Sequence, residues 1–125
     1  MIKIRITLLL FLFSINSCRS IKPSAELIRV LKGHSNVVKS VTIGPKGVYA
    51  LSGSNDNTLK LWDIKSRKLV HSFKGHSRDV YSVAYGPMGR YVLSGGNDTT
   101  VKLWDVKKRR LVHSFEGHGD AVTSV

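Results

Sequence analysis

The 125-residue sequence predicts an all-β fold assembled from copies of one four-stranded antiparallel unit, and three observations carry that expectation. The first is a fixed period: Trp62-Asp63 recurs as Trp104-Asp105, and Gly33-His34 as Gly75-His76 and Gly117-His118, each 42 residues on. The second is the extent of the match, since Leu31 to Ser72 laid over Phe73 to Ser114 agrees at about 27 of 42 positions without a gap. The third is local: short β-rich runs alternate with turn signals, and no sustained helical period occurs beyond the first residues. Such units stack because none can bury its apolar faces alone.

Taken in chain order, Leu27 to Leu31 is the first candidate strand. Val37 to Ile43 is β-rich, Gly44-Pro45-Lys46-Gly47 is a turn, and Tyr49 to Ser52 is a strand. Asn55-Asp56-Asn57 makes a second turn, Thr58 to Trp62 a third strand, Asp63 to Lys68 a polar connection, and Leu69 to Phe73 a fourth strand. The same series repeats from Val80 to Phe115. Four short strands per 42 residues is the pattern of one propeller blade, an antiparallel meander. The repeats run over 31–72 and 73–114, with an incomplete copy at 115–125 whose end, Ala121 to Val125, is expected to be a lone inner strand.

Before the repeats, Lys3 and Arg5 supply a basic start and Ile6 to Ile15 an apolar run. About ten residues cannot span a bilayer, which needs roughly 20, but they suit the core of a secretory signal. Residues 1–18 are therefore expected to be a signal peptide and 19–26 a basic linker, leaving 27–125 as the folded region. Ile15-Asn16-Ser17-Cys18 resembles the lipobox of bacterial lipoproteins, which makes Cys18 a candidate for lipidation. The alternatives are a plain cleaved signal near Ser17 or Ser20, an uncleaved anchor, or a mis-assigned start. The first two readings imply a secreted or periplasmic protein, and the last a cytoplasmic one. A single cysteine excludes an internal disulfide framework.

With Gly33-His34 and Trp62-Asp63 as bracketing dipeptides and Ser52-Gly53-Ser54-Asn55-Asp56 between them, the repeat resembles the WD-repeat β-propeller family. The resemblance runs from about Leu27 to Val125. It implies a partial β-propeller of antiparallel four-stranded blades: a lone outer strand, two complete blades, and a lone inner strand. It also implies that each sequence repeat is offset from the structural blade.

His34, Ser52 and Asp56, repeated as His76, Ser94 and Asp98, imitate a base, a nucleophile and an acid. The hydrogen-bonding inventory argues for a quieter role. An indole N–H only donates, hydroxyl and imidazole do both, and carboxylate only accepts. A chain from Trp62 through Ser52 and His34 to Asp56 is thus complete, as is its copy ending at Trp104. The resemblance implies structural tetrads of these residues, tying the loop before the inner strand to the turn between the second and third strands. A hydrolytic triad would need an exposed nucleophile and an oxyanion site, neither of which the motif supplies. His118 begins a third tetrad without partners.

His71 and His113 occur once per repeat and form no metal-ligand cluster. Gly95-Gly96 belongs to a blade turn, with no helix to make a phosphate loop. No cofactor, metal or catalytic residue is expected.

The net charge of +12 favours anionic partners. In a meander the first and third connections share one end, which gathers Lys46, Lys65, Arg67 and Lys68 from one repeat and Arg90, Lys107, Lys108, Arg109 and Arg110 from the next. That end is either a solvated rim or a contact surface for acidic membrane lipid or nucleic acid. At the opposite end the copies disagree: Asn36 faces Arg78 in the alignment, Val37 faces Asp79, and Lys39 faces Tyr81. These six are candidate partner contacts. In WD-repeat proteins that face commonly binds peptides or proteins.

The expected function is a non-enzymatic scaffold for protein–protein interaction. The alternatives are a charge-driven binder of acidic membrane or nucleic acid, and a propeller-based enzyme. Two blades cannot close a ring, which takes about four to eight. The expected remaining partners are therefore the missing blades of a longer chain.

Overall fold

The computed structural model describes residues 30–125. The expected signal segment with Cys18, the linker 19–26 and residues 27–29 of the first candidate strand lie outside the described residues. Eight strands make two sheets. The first contains β1 (Val38–Ile43), β2 (Tyr49–Ser54), β3 (Thr58–Asp63) and β4 (Lys68–Lys74). The second contains β5 (Val80–Tyr85), β6 (Tyr91–Gly96), β7 (Val101–Asp105) and β8 (Arg110–Phe115). Every strand pairs antiparallel with its sequence neighbour, so each sheet is a meander, and both belong to one compact unit, Lys32–Val125.

The turns follow from their residues. Gly47 and Gly89 adopt φ of 65° and 68°, the left-handed region that glycine enters without a Cβ penalty, and the Gly47 amide closes the turn on the Gly44 carbonyl at 2.8 Å. At the β2–β3 turn the left-handed position is Asn57 (φ 65°) in one sheet but Thr99 (φ 63°) in the other. Asparagine enters that conformation at little cost, whereas a β-branched threonine holds it under strain.

The core lies between the sheets. Leu51, Leu59, Leu61 and Phe73 of the first sheet meet Val80, Val83, Val92 and Trp104 of the second, all within one buried cluster. Phe73 lies 5.5 Å from Trp104, ring centre to ring centre. Period-two alternation explains the contact, because Leu51 and Gly53 on β2 stand opposite Leu61 and Leu59 on β3 and share one face. At Gly53 the sheets approach closely: a Cβ there would lie 2.7 Å from Val80 and 2.9 Å from Val83.

The outer faces show what a neighbouring sheet contributes. Phe73 is 2% exposed but its copy Phe115 is 47%, while Leu51 is 0% exposed and its copy Leu93 36%. At the other end Val41 is 40% exposed where its copy Val83 is 5%.

Both expected lone strands differ from expectation. Val30 and Leu31 are not in a strand, and neither is Ala121 to Val125. A strand requires a ladder partner, and none of the described segments pairs with either. The second of these nevertheless occupies the place of an inner strand. Val122 is 8% exposed and covers Gly95, whose Cβ would lie 2.5 Å from it, as Val80 covers Gly53. The Val125 amide donates to Ser82 Oγ at 3.1 Å, as the Val83 amide does to Ser40 Oγ at 3.2 Å.

Candidate functional site

Each sheet contains one continuous side-chain relay. In the first, the Trp62 indole donates to Ser52 Oγ at 2.8 Å, Ser52 Oγ lies 2.7 Å from His34 Nε2, and His34 Nδ1 lies 2.7 Å from Asp56 Oδ2. In the second, the same atoms of Trp104, Ser94, His76 and Asp98 stand at 2.8, 2.7 and 2.8 Å. The carboxylates have further donors. Asp56 accepts from the Ser35 amide and from the amide and hydroxyl of Thr58, and Asp98 accepts from Ser77 and Thr100 in the same way.

Electrostatics fixes the proton positions. Burial holds His34 and His76 below the ordinary histidine value, outweighing the pull of Asp56 and Asp98, so the rings are neutral. Burial works to raise the Asp56 carboxyl, but hydrogen bonds from Thr58, His34 and the Ser35 amide overcome it and bring it to about 2. Asp98 is lowered by the same balance. A neutral ring beside a carboxylate carries its proton on Nδ1, leaving Nε2 to accept from the serine hydroxyl. Every proton in the relay is thereby used.

The chemical consequence is that the would-be nucleophiles are sealed. Ser52 and Ser94 are 0% exposed, and each oxygen is already bonded to indole and imidazole. Glycine before each histidine serves the same packing, since a Cβ at Gly33 would lie 2.8 Å from the Trp62 ring and one at Gly75 2.9 Å from that of Trp104. His118, the third copy, is exposed. Among the described residues no group of three His, Cys, Asp or Glu side chains is placed to hold a metal.

Of the six divergent positions, Asn36, Val37, Lys39 and Arg78 are exposed, whereas Asp79 and Tyr81 are half-buried. Lys39 and Tyr81 occupy β-bulges, because pairing jumps from Val38 to Ser40 and from Val80 to Ser82. A bulge re-aims the extra side chain away from the regular ladder. Asp79 is used by its backbone, its carbonyl accepting from the Asn97 amide at 2.8 Å.

At the other end, Lys65, Arg67, Lys68, Lys107, Lys108, Arg109 and Arg110 are all exposed, as is Lys46. The turns that carry them are tied together: the Ile64 amide donates to the Val48 carbonyl at 3.0 Å and the Val106 amide to the Arg90 carbonyl at 2.9 Å. Arg90 differs from the rest by pairing with buried Asp105 at 3.3 Å.

One polar pair escaped the reading of the sequence. Lys60 Nζ donates to Ser72 Oγ at 3.0 Å and Lys102 Nζ to Ser114 Oγ at 2.7 Å, the second lysine only 7% exposed. Its signal was present, because lysine and serine are both unchanged between the copies at these positions.

Residues 25–63 and 67–105 match the family model WD40, the WD domain, G-beta repeat. The chain is 48% identical over 42 residues to the ribosome biogenesis protein BOP1 homolog of Drosophila willistoni, an alignment covering 34% of this chain and 5% of that protein. It is 64% identical over 36 residues to the small ribosomal subunit protein RACK1 of Dictyostelium discoideum, covering 29% of this chain and 11% of that protein. The solved structure of U3-55K superposes with a TM-score of 0.73 at 27% identity, covering 75% of this chain and 31% of that one. The RRP9 WD40 repeats give the same score and identity over 75% of this chain and 30% of theirs. The chain thus spans a small part of the length of each protein it matches.

Proposed function

The chain belongs to the WD40 family, the WD domain, G-beta repeat, and from that premise we propose that it is a non-enzymatic scaffold whose blade loops hold a protein partner. The observation that carries this reading is the sealed relay. The trio that could have been catalytic spends its donors and acceptors internally, while six positions where the copies diverge, Asn36, Val37 and Lys39 with Arg78, Asp79 and Tyr81, lie in loops and bulges at the end the relay braces. Rigid sheets with variable, exposed loop side chains suit recognition. Both relatives carry ribosomal names, which favours a partner within a ribonucleoprotein assembly.

Further blades would complete the molecule. The faces bearing Val41 at one end and Leu93 and Phe115 at the other have the composition of the inter-sheet core and lack its cover. Cross-linking and mass spectrometry of a partner recovered on the full chain tests the scaffold reading. Reversing Lys39 and Arg78 together with Tyr81→Ser is expected to abolish recovery. Undiminished recovery, or turnover of any substrate that depends on Ser94, would refute it.

The exposed cations at the opposite end favour one second reading, an electrostatic contact with acidic lipid or nucleic acid. Binding that falls steeply between low and moderate salt would support it, and salt-independent binding would remove it. For location, the basic start and apolar run of residues 1–18 support a secreted or periplasmic protein, anchored where Cys18 is lipidated. The eukaryotic relatives and their ribosomal names weigh toward the cytoplasmic alternative. The N-terminal sequence and intact mass of the mature chain decide between them.

A further inference from the structure

Between the two sheets, at the end carrying the basic turns, a cleft of about 520 Å³ opens. Its floor is aliphatic, formed by Leu61 and Val70 of the first sheet and Val106 of the second, and the Tyr85 ring lies against it. Its rim is cationic: Lys46 from one sheet faces Lys107 and Arg109 from the other. None of the described residues lining the cleft is acidic. Arg90 is also on the rim, but Asp105 already engages it, so Lys46, Lys107 and Arg109 are the rim cations without an ion-pair partner among the described residues.

Tyr85 adds a polar group to this lining. Its hydroxyl is buried and has no hydrogen-bond partner among the described residues. Burial pushes it up to about 12, so it stays protonated and able to donate. A buried donor without an acceptor is costly unless a ligand supplies one. Gly44 lies against the Tyr85 ring, in ordinary contact with it. The volume is in the range of binding sites that enclose a ligand group, roughly 300–1,000 Å³.

We propose that this cleft takes a short acidic peptide segment carrying one apolar anchor side chain: the anchor seats on Leu61, Val70 and Val106, a peptide carbonyl accepts from Tyr85, and flanking carboxylates meet Lys46, Lys107 and Arg109. The assignment rests on the scaffold reading and names a second contact surface on it. An apolar anchor in a pocket with polar contacts at its edge is the usual energetic centre of a protein interface, and Arg109 can hold a carboxylate through two parallel N–H groups. Single-stranded nucleic acid fits less well. Its bases need several aromatic platforms and partners for their polar edges, and the lining holds only two rings, Tyr49 and Tyr85, among aliphatic and basic side chains. A membrane surface is flat, and it would engage the outlying Lys65, Lys68, Lys108 and Arg110 before the recessed floor.

Fluorescence anisotropy with the full chain tests the proposal, using a labelled ten-residue peptide of aspartate and glutamate around one central phenylalanine. Lys107→Glu with Arg109→Glu is expected to weaken binding by about tenfold or more, and replacing the phenylalanine by serine to do the same. Tyr85→Phe should weaken it by about threefold without lowering stability, because the lost hydroxyl is unpaired in the free protein. Lys65→Glu with Lys68→Glu, at the same end but outside the cleft, should change it by less than about twofold. Binding that ignores the anchor, or that falls equally with the Lys65 and Lys68 reversals, overturns the proposal in favour of diffuse charge. So does tighter binding of oligouridylate or phosphatidylserine vesicles with the same dependence on Lys107 and Arg109. Should the cleft reversals leave the peptide bound while the Lys39, Arg78 and Tyr81 changes abolish partner recovery, the cleft assignment falls and the scaffold stands. Absence of binding in both experiments defeats the scaffold and the cleft together.

Discussion

Removing one imidazole tests the relay most directly. In His76→Ala the Ser94 hydroxyl keeps the indole N–H of Trp104 as a donor but loses the acceptor for its own proton, in a position 0% exposed. A buried donor left without a partner costs about 1–3 kcal/mol. Asp98 loses one donor but keeps the Ser77 amide and both Thr100 groups, so its share is smaller. Truncating a ring that is 7% exposed also removes packing, which brings the total to about 2–4 kcal/mol. With the slope usual for small domains, the urea midpoint should fall by about 1–3 M. Urea titration followed by tryptophan fluorescence reads this directly, because the two tryptophans are the donor ends of the two relays. His118→Ala is the internal control: the same Gly-His motif, exposed, should shift stability by less than about 0.5 kcal/mol. A His76→Ala midpoint equal to the parent's, or a His118→Ala loss as large, would refute the reasoning.

Gly53→Ala places a Cβ within 2.7 Å of Val80 and should cost about 1–3 kcal/mol by forcing the sheets apart, whereas Gly119→Ala, in open space, should be neutral; thermal midpoints compare them. Thr99→Asn adopts the residue that the first sheet uses at the same left-handed turn position, and should raise stability by about 0.5–1 kcal/mol in the same assay. Acid should destabilise the protein in two stages. His34 and His76 are lowered by burial, so the unfolded chain takes up protons first, and their contribution is full above pH 6.5 and lost as pH falls below it. Asp56, lowered from 3.8 to about 2, contributes fully above 3.8 and loses its share as pH falls toward 2. A thermal midpoint higher at about pH 5 than at about pH 7.5 would contradict this sign.

The strands were legible because their alternation and turn residues are local signals that recur in register 42 residues apart. Tyr49 to Ser52, Thr58 to Trp62 and their copies are strands with ends displaced by at most two residues, since a ladder continues until its turn residue rather than until the apolar pattern fades. The relay partners could be named from the resemblance to the WD-repeat family, and donor and acceptor counting showed that the chain they make is complete. Lys60 with Ser72 could not, because a lysine in a strand reads as solvent-facing until the register of the next strand sets a hydroxyl directly opposite it. The half-buried state of Asp79 and Tyr81 was equally hidden: sequence divergence marks what varies between copies, not how far a bulge turns a side chain outward.

By itself, then, the sequence determined the repeat, the blade and the order of strands, which follow from periodicity, and through its family resemblance the membership of each relay. Only the tertiary structure decided which copy of each apolar residue is covered. Phe73 and Phe115 each follow a Leu-Val-His-Ser run in the fourth strand of their sheets, yet one is buried against Trp104 and the other lies open. Burial depends on the next sheet in space. The same stacking sets the aliphatic floor of the cleft beside a cationic rim drawn from both sheets, a juxtaposition of residues from Lys46 to Arg109 that no local window of the chain contains.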